Sequence, residues 1–280
     1  MGAPGRHAAE PPMSAAAYAE SHPRAAAPPA AEPPLVTLTG IRKEFSTGTV
    51  ALEGLDLAVG RHEFVSLLGP SGCGKSTALR LIAGLGRPSR GRIAWAEPEG
   101  SRGVGFVFQE PTLLPWATVF DNVRLPLRLA GRGRAESRDE VMAILATVGL
   151  EAFAGAYPRE LSGGMRMRVS IARAIVTRPR LLLMDEPFAA LDEITRFRLN
   201  NDLLRLWRRE SWTVVFVTHS VYESVYLSQR IVVMAARPGR VVADIPVQAP
   251  YPRDDSFRTG EPYNRHCRLV SAELHRAMGG

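Results

Sequence analysis

Residues 69–77 read Gly69-Pro70-Ser71-Gly72-Cys73-Gly74-Lys75-Ser76-Thr77, which is the pattern G-x-x-x-x-G-K-S. The apolar run 64–68 precedes this stretch and predicts a buried strand, and residues 78–83 follow it and predict a helix. A glycine-rich turn in this position directs backbone N–H groups, together with the positive end of the helix dipole, at phosphate oxygens. The context therefore predicts a nucleotide-binding loop in which Lys75 reaches the β- and γ-phosphates and the Ser76 hydroxyl binds Mg²⁺.

The composition suits one large domain with appendages. The chain has 280 residues, 45% of them hydrophobic, and a net charge of +7. Its lysines are Lys43 and Lys75, so arginine supplies nearly all the basic charge, scattered without a dense basic block. We therefore do not expect a nucleic-acid partner, although a basic surface facing anionic lipid headgroups stays open.

The cysteines and the apolar segments favour a cytosolic protein. Cys73 and Cys267 are the two cysteines, and they imply no disulfide framework. We find no window of about 18 apolar residues that could form a membrane span, and no secretory signal at the N-terminus. Residues 1–34 are rich in alanine and proline, which predicts a disordered tail.

Two side chains near the phosphate-binding loop are candidates for nucleotide contacts. Phe45 lies between two predicted strands and could stack on an adenine ring, or it could be a core aromatic residue. Gln109 leaves the predicted strand 103–108 and could bind Mg²⁺ or position the attacking water. The alternative for Gln109 is an ordinary polar strand end.

The segment from 121 to about 180 is predicted to be helical. Leu113-Leu114-Pro115-Trp116 stands before it as an apolar cluster, either core or a partner-binding patch. Within the segment, Ser162-Gly163-Gly164 opens a helix and forms a second anion-binding N-terminus. One chain therefore carries two phosphate-binding elements.

The buried strands predicted at 181–184 and 213–217 end in polar residues that suit nucleotide hydrolysis. Asp185 and Glu186 follow the first, and His219 follows the second. Asp185 could hold Mg²⁺ through water, and Glu186 could accept a proton from the attacking water or orient it. We expect His219 to contact the γ-phosphate, because ligands of parallel sheets lie at the carboxyl ends of strands.

These motifs, in this order, resemble the nucleotide-binding subunit of an ATP-binding-cassette (ABC) transporter, over about residues 35–243. The resemblance implies an α/β P-loop NTPase fold with a mixed core sheet, an N-terminal antiparallel β layer and a helical signature subdomain at about 112–178. The nucleotide-binding domain would span 35–248. Residues 249–280 would form a C-terminal extension with a short helix near Cys267 to Met278.

The resemblance also implies roles for the motif residues. Two subunits would pack head to tail as a homodimer, with each ATP and its Mg²⁺ between the phosphate-binding loop of one copy and Ser162-Gly163-Gly164 of the other. Phe45 matches the adenine-stacking position and Gln109 the Q-loop glutamine. Glu186 matches the catalytic base and His219 the switch histidine. Asp192 matches the D-loop aspartate.

Residues 113–116 and 236–240 look like the importer branch that serves nitrate, sulfonate and taurine. This branch implies a membrane permease that contacts residues 109–116, a solute-binding protein that acts indirectly, and a peripheral position on the cytoplasmic face of the bacterial inner membrane. The chain departs from the family pattern at Met167, where the branch usually has Gln, and at Ser220, where Asp is frequent. An exporter, a lipoprotein-release system and a non-transport ABC ATPase are the alternative interpretations.

Overall fold

The computed structural model describes residues 32–97, 103–236 and 238–279. The tail predicted at 1–34 lies outside these ranges except for its last three residues. Nine strands in the described part form two sheets: β1 (Val36–Glu44), β2 (Val50–Val59), β3 (Phe64–Leu68), β4 (Arg90–Trp95), β5 (Val104–Val107), β6 (Leu181–Asp185), β7 (Thr213–Thr218), β8 (Arg230–Ala235) and β9 (Arg240–Pro246).

Eight α-helices lie within the same ranges: α1 (Lys75–Ile82), α2 (Val119–Leu129), α3 (Arg138–Thr147), α4 (Gly163–Ile175), α5 (Glu193–Glu210), α6 (Val221–Leu227), α7 (Asp255–Thr259) and α8 (Glu261–Ala277). Short 3₁₀ turns at Glu151–Phe153 and Pro158–Glu160 lie between α3 and α4.

The larger sheet has the strand order β5-β6-β7-β3-β8-β9. Its first five strands are parallel to one another, and β9 pairs antiparallel with β8. Every residue of β3, β6 and β7 is buried, because both faces of the sheet are covered, and this explains their predominantly apolar sequences. The predicted mixed core sheet is confirmed.

The smaller sheet is antiparallel, with the order β2-β1-β4, and it confirms the predicted N-terminal layer. Its inward side chains, including Val36, Leu38 and Leu55, share a core with Leu67 of β3 and Ala78 of α1. Burial of this apolar surface holds the layer against the phosphate-binding loop and its helix.

The helices α2, α3 and α4 pack around a separate apolar core. Val123 of α2, Val141 and Leu145 of α3, and Val169 and Val176 at α4 are buried in it. Ser162 caps α4, since its hydroxyl accepts a hydrogen bond from the Met165 amide. These helices lie within the range 112–178 predicted for the helical subdomain.

The C-terminal helix is longer than the short one expected near Cys267 to Met278. Helix α8 begins at Glu261, because Gly260 provides the N-cap and Pro262 occupies the first turn, where its missing N–H costs nothing. Tyr263, Cys267 and Val270 of α8 belong to the main apolar core. The extension is therefore packed on the domain rather than attached loosely to it.

Candidate functional site

The phosphate-binding loop runs from the end of β3 to the start of α1, as its sequence context predicts. Gly74 has φ +92°, in the left-handed region, and a Cβ there would come within 2.8 Å of the Ala51 carbonyl oxygen and 2.6 Å of Leu52 Cδ2. A Cβ at Gly69 would lie 2.6 Å from the carbonyl oxygen of Met234. The loop is thus pressed between β2 and β8, and only glycine fits at these contacts.

Lys75 is buried at the base of the loop, with 4% of its surface exposed. Its ammonium group donates hydrogen bonds to the carbonyl oxygens of Gly69 (2.7 Å) and Pro70 (3.0 Å). The ammonium nitrogen also lies 3.7 Å from Oε1 of Glu186, so the buried charge has an acidic partner. The loop therefore encloses a cation that an anionic phosphate would meet.

Ser76 and Asp185 meet between α1 and β6. The Ser76 hydroxyl donates to Asp185 Oδ1 at 2.7 Å. Burial raises the pKa of the Asp185 carboxyl, although its hydrogen bond from Ser76 opposes that shift. A hydroxyl and a carboxylate oxygen at this spacing are the hard donors that Mg²⁺ prefers, so the residues present fit this ion.

Glu186 joins the ends of β6 and β7. Its backbone lies in the left-handed region (φ +47°), which is uncommon for a residue with a side chain. Its amide donates to the Val217 carbonyl oxygen (3.0 Å), and its Oε2 lies 3.1 Å from Nδ1 of His219. A carboxylate that touches both Lys75 and His219 is suited to orienting a water molecule and accepting its proton.

Lys75, Ser76 and Glu186 line an open cleft of about 770 Å³, whereas Asp185 and His219 contact these lining residues without lining the cleft themselves. The residues of the phosphate-binding loop that line it are Ser71, Gly72, Gly74, Lys75, Ser76 and Thr77. Gln109, Glu186 and Phe45 line the cleft as well, and the Phe45 ring is 44% exposed, so the alternative of a core aromatic is not what the structure shows. Gly69, Pro70 and Cys73 of the same loop are not among the lining residues.

Sequence reasoning missed four residues of the cleft wall, Thr49, Val50, Ala51 and Pro238. The first three lie in or next to the start of β2, and Pro238 lies in the turn between β8 and β9. The glycine of that turn, Gly239, exchanges backbone hydrogen bonds with Ala51 and Glu53. The signal available in the sequence for residues 49–51 was their position shortly after Phe45, the candidate for stacking on adenine.

The second group of predicted site residues lies apart from the cleft within one chain. None of Ser162, Gly163, Gly164 and Asp192 lines it. They lie close to one another instead. A Cβ on Gly164 would lie 2.8 Å from Cγ2 of Thr195, which belongs to the first turn of α5. Asp192 caps α5 by accepting a hydrogen bond from the Thr195 amide at 2.9 Å. The structure thus divides the predicted site into a cleft and a separate glycine element.

Residues 52–189 match the sequence profile of the ABC transporter family. The chain is 41% identical over 247 residues to the aliphatic sulfonates import ATP-binding protein SsuB of Bacillus cereus, a match that covers 86% of this chain and 96% of SsuB. It is 49% identical over 198 residues to the taurine import ATP-binding protein TauB of Rhizobium johnstonii, over 69% of this chain and 75% of TauB. The chain belongs to the ABC transporter family.

Solved ABC structures share the fold. The protein cbiO1 of Clostridium perfringens, part of the ABC transporter complex cbiONQ, matches with a TM-score of 0.70 and 26% identity over 88% of this chain and 97% of its own. The dimeric ATP-binding cassette MJ0796, in a post-hydrolysis state bound to ADP and Pi, matches with a TM-score of 0.67 and 33% identity over 77% and 100%. The predicted P-loop ABC fold and ATPase activity are confirmed.

Two positions of this ABC subunit depart from the family pattern, and both have structural roles. Met167 on α4 is almost fully buried in the main core, where it contacts the sheet side of the domain. The Ser220 hydroxyl caps α6 by accepting a hydrogen bond from the Glu223 amide. The serine therefore supplies the same capping oxygen that an aspartate would.

The apolar cluster at 113–116 of the ABC subunit is divided between the interior and the surface. Leu113 packs against the helical core, whereas 76% of the Trp116 surface is exposed. The buried Asn122 side chain accepts a hydrogen bond from the Leu114 amide and donates to the carbonyl oxygens of Leu114, Ala117 and Thr118. Asn122 therefore holds this loop and presents Trp116.

No helix in the described residues has the length and apolarity of a membrane span.

Gly74→Ala should destabilise the ABC subunit more than Gly72→Ala. Both residues have positive φ, but the Cβ at Gly72 would meet nothing within 4 Å, whereas that at Gly74 would clash with Ala51 and Leu52. Urea denaturation without nucleotide should give a free energy of unfolding about 1–3 kcal/mol lower for Gly74→Ala than for Gly72→Ala. Equal losses would contradict the close approach of β2.

Proposed function

We propose that this chain is the ATP-hydrolysing subunit of an ABC importer, and that it couples ATP binding and hydrolysis to solute uptake through a separate permease. The proposal is supported mainly by the separation of the cleft from the glycine element at 162–164. A cleft with cationic and carboxylate groups on one surface, and an anion-binding helix N-terminus on another, are complementary halves of a site between two copies.

We assign the ATP contacts to the residues of the cleft. The exposed Phe45 ring offers a face for the adenine ring, and the backbone of residues 71–77 surrounds the phosphates. Lys75 neutralises negative charge on the β- and γ-phosphates. The cleft accommodates a nucleotide, since sites for small ligands measure roughly 300–1,000 Å³.

The proposed Mg²⁺ ligands are Ser76, Gln109 and, through water, Asp185. The hydroxyl, amide and carboxylate oxygens of these residues are the kind of donor that the ion prefers. Bound Mg²⁺ would neutralise part of the negative charge on the phosphate oxygens. The burial that raises the pKa of Asp185 is offset when a cation stands beside its carboxylate.

Glu186 is the proposed general base, and His219 is its partner. The contact of 3.1 Å between Nδ1 of His219 and Oε2 of Glu186 orients the carboxylate toward the cleft. Glu186 would then position the attacking water and accept its proton, and His219 would contact the γ-phosphate. Gln109 in the same cleft wall could also position that water.

A homodimer would complete each site. Ser162, Gly163 and Gly164 of one copy would face the γ-phosphate held by the other copy, and Asp192 would lie at the same interface. The negative charge of the ATP phosphates lies between two positively polarised helix N-termini, one from each copy, and attracts both copies. When hydrolysis divides the ATP, this attraction is lost. The dimeric structure reported for the related cassette MJ0796 supports this arrangement.

The proposed permease contact is the surface from Gln109 to Trp116. An exposed tryptophan held by a buried asparagine is a rigid apolar anchor of the type that dominates protein interfaces. The relatives SsuB, an aliphatic sulfonates importer subunit, and TauB, a taurine importer subunit, support uptake of a sulfonate or taurine, and the resemblance at 113–116 and 236–240 adds a nitrate-like solute. We place the subunit peripherally on the cytoplasmic face of the bacterial inner membrane, served indirectly by a solute-binding protein and without a nucleic-acid partner.

Glu186→Gln should trap the proposed dimer. The amide keeps the size of the side chain but cannot accept a proton, so ATP hydrolysis should fall about 10²–10⁴-fold while ATP binding persists. Size-exclusion chromatography with light scattering should show an ATP-dependent dimer. Glu210→Gln, in a surface ion pair with Arg209, is the control and should change neither property. A monomer with hydrolysis intact would contradict the role of Glu186.

A mixture of two inactive variants tests the head-to-tail arrangement. Lys75→Ala removes the phosphate-binding charge and Ser162→Arg blocks the glycine element, so each variant alone should hydrolyse little ATP. A mixed dimer pairs the intact loop of one copy with the intact glycine element of the other. We therefore expect mixing to restore ATPase activity. If each chain uses its own two elements, the mixture stays as inactive as its components.

Trp116→Ala should separate hydrolysis from transport. The side chain is exposed and lies outside the lining of the cleft, so ATP hydrolysis by the isolated subunit should change less than about twofold. Co-purification with the permease and solute uptake by the reconstituted complex should both fall at least about tenfold, as for loss of an aromatic interface anchor. Leu269→Ala, an exposed apolar control on α8, should leave both unchanged.

A further inference from the structure

A second cavity, of about 640 Å³, lies between α5, the start of α6 and the C-terminal helices α7 and α8. It is separate from the ATP cleft, with which it shares no lining residue. Its volume falls within the range of about 300–1,000 Å³ that is usual for sites of small ligands. The roles proposed above for the chain do not use it.

Asn200 on α5 lines this cavity without a hydrogen-bond partner. The residue has none of its surface exposed, and neither Oδ1 nor Nδ2 forms a hydrogen bond within the described chain. Burial raises the pKa of the Glu223 carboxyl, and the neighbouring Asn200 side chain opposes that shift, although no hydrogen bond of ordinary length and angle joins the two residues. Each unsatisfied buried group costs about 1–3 kcal/mol, which a bound polar ligand would recover.

Glu223 of α6 offers a second unpaired group. Its Oε2 accepts a hydrogen bond of 2.6 Å from the Thr218 hydroxyl, whereas its buried Oε1 has no hydrogen-bond partner in the described residues. Only 8% of the residue is exposed. Glu223 therefore presents one acceptor oxygen that a ligand ammonium or hydroxyl group could use.

Two arginines bring guanidinium groups to the same cavity. Nε of Arg196 and Nε of Arg258 are buried and form no hydrogen bond in the part of the chain that the structure describes, and Nε of Arg258 lies 3.7 Å from Oδ1 of Asp255 in an ion pair. The Arg258 guanidinium is held in place by the rings of Tyr226 and Phe197, at 3.5 and 4.5 Å from their centroids. Such restrained guanidinium groups favour a carboxylate, sulfonate or phosphate.

The charges around the cavity balance. Three acidic and three basic side chains line it: Glu193, Glu223, Asp255, Arg196, Arg198 and Arg258. A bare anion would gain from the arginines but would be repelled by the carboxylates, whereas a ligand with both charges meets complementary groups. Apolar contacts are available from Ile194, Phe197 and Tyr222.

We propose that this cavity is a binding site for a small zwitterion. The anionic group of the ligand would contact Arg196 and Arg258, and its ammonium group would contact Glu223 and the Asn200 carbonyl oxygen. The ligand would join the C-terminal helices to α6, the helix that follows His219. Through the bond from Thr218 to Glu223, the site also contacts the end of the strand that leads to His219.

Isothermal titration and thermal unfolding of the full chain, without nucleotide, test this site. The probes are taurine and β-alanine, which place an ammonium group two carbons from a sulfonate or a carboxylate. Ethanesulfonate, propanoate and ethylammonium, at equal ionic strength, carry one charge each. At least one zwitterion should bind and raise the midpoint of unfolding, and the single-charge compounds should not. The stronger probe identifies the preferred anionic group.

Two variants and one control locate the binding. Glu223→Gln keeps an acceptor for Thr218 but loses the charge, and it should weaken binding about tenfold or more. Asn200→Leu should abolish binding without lowering the midpoint of unfolding, because it removes an unsatisfied polar group. Arg205→Gln, on the same helix but outside the cavity, should bind like the wild type.

Three results would overturn the proposal: no binding of either zwitterion at millimolar concentration, equal binding by the single-charge compounds, or a crystal structure in which ordered waters alone satisfy Asn200 and Glu223. These measurements need neither ATP nor a permease. Their outcome is therefore independent of the proposed importer function.

Discussion

The close approach of three backbone segments is the constraint on which this structure depends. The phosphate-binding loop contacts β2 on one side and the turn between β8 and β9 on another. Gly74 permits the first contact, and at Gly239 a Cβ would lie only 2.1 Å from the Cys73 carbonyl oxygen. Because the small antiparallel sheet, the main sheet and the loop meet here, Phe45, which follows β1 of the small sheet, reaches the same cleft as Lys75, which begins the helix after β3 of the main sheet.

The electrostatics of the cleft follow from this packing. Burying the Lys75 ammonium would cost several kcal/mol if it were alone, and two carbonyl oxygens and Glu186 offset that cost. Glu186 is in turn shared with His219. The three side chains therefore form one chain of polar contacts across the carboxyl ends of neighbouring strands. A change in the charge of any member alters the surroundings of the others.

Motifs whose chemistry is local were predictable from the sequence, because each lies at the end of an apolar strand or at the start of a helix. The phosphate-binding loop, Asp185, Glu186 and Gln109 were identified in this way. The start of α8 was not predicted, because the helix was expected only near Cys267 to Met278 and the N-cap at Gly260 and Pro262 in the first turn were not recognised. Contacts between distant parts of the chain were not predictable either, because no local sequence pattern indicates that Asn200, Glu223 and Arg258 line one cavity.

Arg253 shows why the C-terminal extension belongs to the energetics of the domain. Its buried guanidinium donates to the carbonyl oxygens of Val225, Tyr226 and Ser228, at the end of α6, and to that of Ala249. Burial lowers the pKa of this arginine, but the four hydrogen bonds that it donates and the Tyr251 ring keep the charged form in place. Since α6 begins two residues after His219, the extension holds one end of a helix whose other end follows the residue that contacts Glu186. The fold thus provides a continuous physical connection between the C-terminal helices and the proposed hydrolytic site.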